Sequence, residues 1–308
     1  MEAKKKPMRV LSLFDGISCG RVALERAGIP VEAYYASEID KYAMQISKKN
    51  WPDIVQLGDI TQIDPDFLPD VDLIIGGSPC QGFSFAGKHL NFDDPRSKLF
   101  FDYVRILDAM RERNPDVLFL LENVRMKKES ESVITEMLGV EPIAINSSLV
   151  SAQNRYRLYW TNIEGVTQPA EKDVVLQDIL VSGTADREKS YCIDASYYKG
   201  GDLHSYRIKK RRQLVRVGHT GAKGHEYNGR VYSPEGLAPT LVVGHESMAK
   251  IPVSDDAKDW RKLTPVECER LQTLPDNFTE GVSNTQRYKA LGNGWTVDVI
   301  AHIFRFIK

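Results

Sequence analysis

The chain is expected to form an open α/β structure, a mostly parallel sheet with helices on both faces, joined to a smaller, irregular, β-rich domain. Two observations predict this. Across the first 166 residues short apolar runs alternate with segments of helical spacing, the pattern of strands buried between two helix layers. The alternation then stops, and residues 167–259 are richer in Gly, Tyr and charge.

Residues 8–14 form the first strand, with Arg9 the one charged interruption. Residues 15–19 turn, and 20–27 read as a helix ended by Gly28. Residues 32–37 are a second strand, 41–50 a helix and 55–57 a short third strand. The runs 71–75 and 117–121 are the fourth and fifth. Between them Leu99, Tyr103, Ile106, Leu107 and Met110 recur at helical spacing. Residues 142–150 and 157–163 add two strands. In the small domain the β-like pieces are short, such as 230–232 and 240–243. Thr264-Pro265 with Glu267 is a helix-start signal for 264–273, and a last helix covers 296–306. The expected division is 1–166 for the main body, 167–259 for the small domain and 260–308 for a return to the body.

A chain of 308 residues with 42 % hydrophobic content can bury a sizeable core. No apolar run approaches the ~18 residues of a membrane span, and no apolar stretch follows the basic residues 1–6 as a signal peptide would require. Cys19, Cys80, Cys192 and Cys268 are far apart. That spacing argues against a zinc cluster or a disulfide framework and for a reducing, cytoplasmic setting without metal. Net charge is −1, yet residues 197–230 hold nine Lys/Arg against two Asp/Glu, or +7. A basic segment on an acidic body is the electrostatic footprint of a nucleic-acid partner.

LSLFDGISCG at 11–20 sets Gly16 and Gly20 between a strand and a helix, where backbone can approach a ligand closely. Glu38 follows the second strand and can accept both hydroxyls of a ribose. Asp59 follows the third and can take the amino group of an adenine. These residues suit a nucleoside. They do not by themselves exclude NAD, but the absence of a GKS/GKT argues against a P-loop.

GGSPCQGF at 76–83 puts Cys80 at the carboxyl end of the fourth strand, where open α/β sheets bind ligands. Pro79 restricts one side, Gly82 frees the other and Gln81 offers a polar anchor. Work as a nucleophile needs the thiolate. The other three cysteines read as small hydrophobes. Glu122 ends the fifth apolar run; a carboxyl buried there would hold its proton more tightly and could donate it at neutral pH. Asn123 could hold the neighbouring loop. Gln153, Arg155 and Arg157 alternate, which places them on one strand face, either solvated or, near a cleft, clamping an anion or a loop.

Six blocks occur in order: LSLFDGISCG, GGSPCQGF, LLENV, QNRYRLYW, RKLTPVECERLQTLP and LGNGWTVDVI. In these the chain resembles the DNA (cytosine-5)-methyltransferases of prokaryotic and phage type. Its Gly294-Trp295 pair is also similar to the animal de novo enzymes. The resemblance implies a Rossmann-like, S-adenosylmethionine-dependent methyltransferase domain with a target-recognition domain. It implies transfer of a methyl group to C5 of a flipped-out cytosine in a specific double-stranded DNA sequence, leaving S-adenosylhomocysteine. Cys80 would attack C6, Glu122 would hold N3 and the amino group, and Asn123, Arg155 and Arg157 would support them. The cofactor would contact Phe14, Asp15, Gly16, Ile17, Ser18, Cys19, Gly20, Glu38, Ile39, Asp59, Ile60, Pro79, Leu99, Asn293 and Thr296. DNA would contact Gln81, Ser84, Arg207, Lys209, Lys210, Arg211, Arg212, Arg216, Arg230 and Thr240. Ala86 departs from the polar residue often found on the family's loop. A monomer is expected, with a cognate restriction endonuclease as a candidate partner and no membrane. The alternatives are a transfer-RNA cytosine methyltransferase, a catalytically inactive DNA-binding relative and a nicotinamide oxidoreductase.

Overall fold

The inner strands are almost wholly apolar because helices cover both faces of the sheet they form. The computed structural model describes residues 5–79, 95–200, 203–217 and 260–308, side chains at 95–98 and 204–205 excepted. Seven strands make one sheet: β1 (Met8–Leu13), β2 (Val31–Ser37), β3 (Val55–Gln56), β4 (Leu73–Gly76), β5 (Leu118–Val124), β6 (Ile143–Asn146) and β7 (Tyr156–Thr161). Their order is β3-β2-β1-β4-β5-β7-β6. The chain leaves β1 toward β2 and β3, then returns to place β4 on the other side of β1. This reversal is the switch point at which open sheets accept ligands.

Alternate side chains of each strand enter opposite layers, as the two-residue period demands. Val10, Ile75 and Leu120 join one core, and Leu11, Ile74 and Leu121 the other. The first core takes α1 (Cys19–Arg26), α2 (Lys41–Asn50) and the C-terminal helices α7 (Pro265–Leu271), α8 (Asn284–Asn293) and α9 (Val297–Phe304). The second takes α3 (Pro95–Arg113) and α4 (Lys128–Leu138).

The expected run of parallel strands ends at β5. β7 is antiparallel to both β5 and β6, with Glu122 opposite Tyr159 and Val124 opposite Arg157. Side-chain alternation has the same period in either direction, so the pattern could not show this. β6 is also shorter than the expected 142–150, because Asn146 Oδ1 accepts the Ser148 N–H and starts a 3₁₀ turn over Ser147–Leu149. β5, by contrast, runs past Leu121 to Val124. Glu122 and Asn123 therefore lie within a strand, not beyond its tip.

The start signal at Thr264 is realised as a reciprocal cap. Thr264 Oγ1 accepts the Glu267 N–H at 3.2 Å, and Glu267 accepts the Thr264 N–H at 2.7 Å. Within residues 167–259, expected as a small domain, lie the one-turn α5 (Leu176–Ile179), α6 (Leu203–Lys209) and β8 (Leu214–Arg216). β8 pairs antiparallel with β9 (Trp260–Lys262). Leu176, Ile193, Tyr197 and Val215 are buried in the same core as Leu263 and Tyr288, so the described part of this segment packs directly on the body. The strands expected at 230–232 and 240–243 lie outside the described residues. Among the described residues no helix is long and apolar enough to cross a membrane.

Candidate active site

The turn after β1 is built by backbone in the left-handed region, with φ of 59° at Phe14, 60° at Gly16 and 58° at Ser18. Acidic side chains hold it. Glu38 Oε2 accepts the Gly16 N–H at 2.8 Å, while Oε1 accepts from Ile39 N and Asp40 N at 2.8 and 2.7 Å. Asp15 accepts from Ser18 Oγ and, at 2.8 Å, from Tyr34 OH; Ser18 also meets Ser47. Burial pushes the Asp15 carboxyl up to about 6, against the pull of these donors.

This turn opens on a cavity of about 710 Å³ at the switch point, within the range of small-molecule sites. Its lining includes Phe14, Asp15, Gly16, Cys19, Glu38, Ile39, Asp59, Ile60, Pro79, Leu99 and Asn293. The same cavity reaches Glu122, Asn123, Arg155 and Arg157. Ile39 is 73 % exposed, an apolar face at the cavity wall. Asp59 caps the 3₁₀ turn Ile60–Gln62 through Thr61 N.

Four residues expected to touch a cofactor are not among the cavity lining. Ile17 is 1 % exposed within the core. Ser18 is spent on Asp15 and Ser47. Gly20 lies against the Ile75 side chain, where a Cβ would come within 2.3 Å. Thr296 exchanges hydrogen bonds with Ser147 and Gln272. Ile17, Ser18 and Gly20 thus pack behind the turn, and Thr296 ties Ser147 to Gln272.

At the other end Glu122 is only 8 % exposed. Its Oε1 lies 2.8 Å from Arg157 Nε, and its Oε2 accepts the Trp295 indole N–H at 3.2 Å. Asn123 donates to Ser78 O and Ser78 Oγ at 3.3 and 3.2 Å. It thereby holds the segment that leads to Cys80. Pro79, the residue before Cys80, lines the cavity. Cys80, Gln81, Ser84, Arg230 and Thr240 lie outside the described residues.

Arg155 is not one of a solvated row. It precedes β7, is 4 % exposed, and donates to the carbonyls of Ile193, Gly292 and Gly294 at 3.1, 3.3 and 2.9 Å. It clasps the segment at Ile193 to the C-terminal block. Gln153 is fully buried and bonds Leu271 O and Gln272. Of the other cysteines, Cys19 and Cys268 are buried; burial pushes Cys19 up to about 12 and Cys268 well above its usual range. Cys192 differs from the expected core residue. It is half-buried, lines the cavity and accepts from Arg155 Nη1 at 3.4 Å.

Arg207, Lys209, Lys210 and Arg211 are exposed. Arg211 lies 3.7 Å from Asp194, which lines the cavity, so this basic surface adjoins the cavity mouth. Arg212 is partly committed through Gly200 O at 2.8 Å, and Arg216 on β8 is half-buried. Residue patterns gave no role to Trp295, Tyr34 or Gly77, although the first stands in LGNGWTVDVI and the last in GGSPCQGF. Among the described residues no cluster of three His, Cys, Asp or Glu could hold a metal.

A mostly parallel seven-stranded sheet with a nucleoside-sized cavity at its switch point is the Rossmann-like, S-adenosylmethionine-dependent methyltransferase fold. The chain belongs to the C-5 cytosine-specific DNA methylases, whose family model matches residues 8–308. It is 31 % identical to the type II methyltransferase M.HhaI of Haemophilus parahaemolyticus, over 96 % of this chain and 93 % of that one. It is 31 % identical to the type II methyltransferase M.NlaX of Neisseria lactamica, over 97 % and 96 %. In fold it is similar to the Entamoeba histolytica methyltransferase EhMeth, with a TM-score of 0.69, 22 % identity and 98 % of each chain covered.

Proposed function

We propose that the protein transfers the methyl group of S-adenosylmethionine to C5 of a cytosine flipped out of a specific double-stranded DNA sequence. One observation carries this: Glu38 and Glu122, at the carboxyl ends of β2 and β5, face a single cavity. The lining fits the cofactor's chemistry. Asp15, Glu38 and Asp59 make the nucleoside end acidic. That suits a cationic sulfonium and ammonium and disfavours the anionic pyrophosphate of a dinucleotide. Ile39 offers an apolar face to the adenine, and Glu38 and Asp59 offer acceptors to ribose and base. When bound, the cofactor supplies an electrophilic methyl group.

In the reaction the Cys80 thiolate adds to C6 while Glu122 holds N3 and the exocyclic amine. The ring's electrons move to C5, which takes the methyl group. A base then removes the C5 proton, the 5,6 double bond re-forms and Cys80 leaves as thiolate. A cytosine inside a duplex is out of reach for this attack, hence the flipping. Arg157 balances the buried Glu122 charge and Asn123 steadies the approach to Cys80. Arg155 supports both by clasping the surrounding loops.

Residues 167–259 are assigned to target recognition, with Arg207, Lys209, Lys210 and Arg211 on phosphates and Arg212, Arg216, Arg230 and Thr240 as further DNA contacts. Gln81 and Ser84 would meet the flipped site. Both relatives carry type II names, so a restriction endonuclease of the same specificity is the partner proposed, with the protein acting as a cytoplasmic monomer. Cys80→Ser should nearly abolish tritiated methyl uptake into cognate DNA while S-adenosylmethionine still binds. Unchanged turnover, or uptake into transfer RNA instead of DNA, overturns the proposal.

A further inference from the structure

Trp295 touches both ends of the cavity. Its backbone hydrogen-bonds to the Cys19 thiol in the turn after β1. Its ring edge lies 3.6 Å from where a Cβ on Gly20 would stand. From the same side chain the indole N–H reaches Glu122 Oε2 at 3.2 Å. Gly77 closes over this bond: a Cβ there would come within 3.0 Å of the indole nitrogen and 3.2 Å of Glu122 Oε2. The backbone of the segment leading to Cys80 thus passes beside the pair, in space that a side chain would take.

An indole nitrogen only donates, and an ionised carboxylate only accepts. Arg157 by itself meets one oxygen, Oε1. A carboxylate held at one oxygen can still turn about its last bond, whose torsional preference is broad. Trp295 puts a hydrogen-bond donor on the other oxygen, from the turn between α8 and α9, so together with the Arg157 ion pair two distant parts of the chain set the carboxylate plane.

We propose that Trp295 is a positioning residue for cytosine activation, fixing the Oε2 edge of Glu122 so that the carboxyl shares a proton with N3 of the base while a free lone pair accepts from its amino group. This rests on the cytosine-C5 reading above. A purely structural indole, placed there only to fill space, would leave ring activation unchanged when its N–H is removed at constant shape.

Trp295→3-benzothienylalanine makes that change, exchanging N–H for sulfur in a ring of nearly equal size. Two rates are read: single-turnover methyl transfer, and cofactor-free release of tritium from C5 of a cognate cytosine. The second needs Cys80 addition and N3 protonation but no methyl donor. Both are expected to fall together by about ten- to a hundred-fold, the scale of one lost donor to a charged acceptor or a slight misplacement. The S-adenosylmethionine Kd and the melting temperature should stay near those of the parent protein. Trp295→Phe should lose at least as much and weaken the cofactor as well, because it also removes ring contacts. A benzothienyl variant that exchanges and transfers at the parent rate overturns the proposal, as does a loss fully restored by saturating cofactor. If the parent protein does not act at cytosine C5, the functional reading falls and this inference with it. If the parent is active and the benzothienyl variant matches it, only the inference falls.

Discussion

Glu122 and Glu269 are both buried glutamates beside an arginine, one on β5 at the cavity and the other on α7 in the C-terminal block. Glu269 is fully enclosed. It accepts from Asn277 N at 2.7 Å, from Thr279 N at 2.8 Å, from Thr279 Oγ1, and from Arg287 Nη2 at 2.9 Å. A carboxylate offers about four lone-pair sites, so it is saturated. Glu122 meets two groups, Arg157 and Trp295, and its remaining capacity faces the cavity. Burial and an arginine are common to both. What separates a staple from a reactive centre is the donors left out.

The contrast breaks most sharply under substitution. Glu122→Gln is expected to cut single-turnover methyl transfer by about 10²–10⁴-fold, the scale of a lost proton-handling group, while the urea midpoint changes little. A large fall in stability with the rate preserved would reverse the comparison. Glu269→Ala should do the opposite. Leaving Arg287 without its buried partner costs about 3–5 kcal/mol of stability, to be read from urea unfolding, with activity per folded molecule retained below the transition.

Asp15 sharpens the comparison with a third buried carboxyl that has hydroxyl donors and no arginine hydrogen-bonded to it. Burial raises it from 3.8 to about 6. A folded value above the unfolded one gives stability that is full below about pH 4 and lost as pH rises through about 6, on the order of 2–3 kcal/mol in all. The cationic cofactor should favour the ionised form, so its affinity should climb across the same window. Asp15→Asn should flatten both trends in unfolding and calorimetric titrations from pH 4 to 8. A mutant that follows the parent's curves would assign them to another group.

Much of the sheet was legible because strands covered on both faces are short apolar runs. The cap at Thr264 was legible because its chemistry is local, two residues three apart. The reversal at β7 was not, since alternation does not record direction. α4 was hidden because KESESVITEML carries few apolar residues, and only Ser130, Ile134 and Leu138 are buried. At the site, the acidic residues at strand ends could be read one by one. For Arg155 the sequence left a solvated face and a loop or anion clamp both open, because its partners are carbonyls from residues 193, 292 and 294, and backbone acceptors leave no trace in residue type. Trp295 stood in a recognisable block, but its bond to Glu122 was not legible because that partner lies on a strand far away in the chain.

Phe14 and Trp295 stand near opposite ends of the sequence and share one cavity. A growing polypeptide emerging from the ribosome, at about 5–20 residues per second, holds the glycine turn and the acid long before the indole arrives. The protein should therefore stay inert until the helices on either side of Trp295 have been made and folded, so that no shorter nascent piece can methylate cytosine.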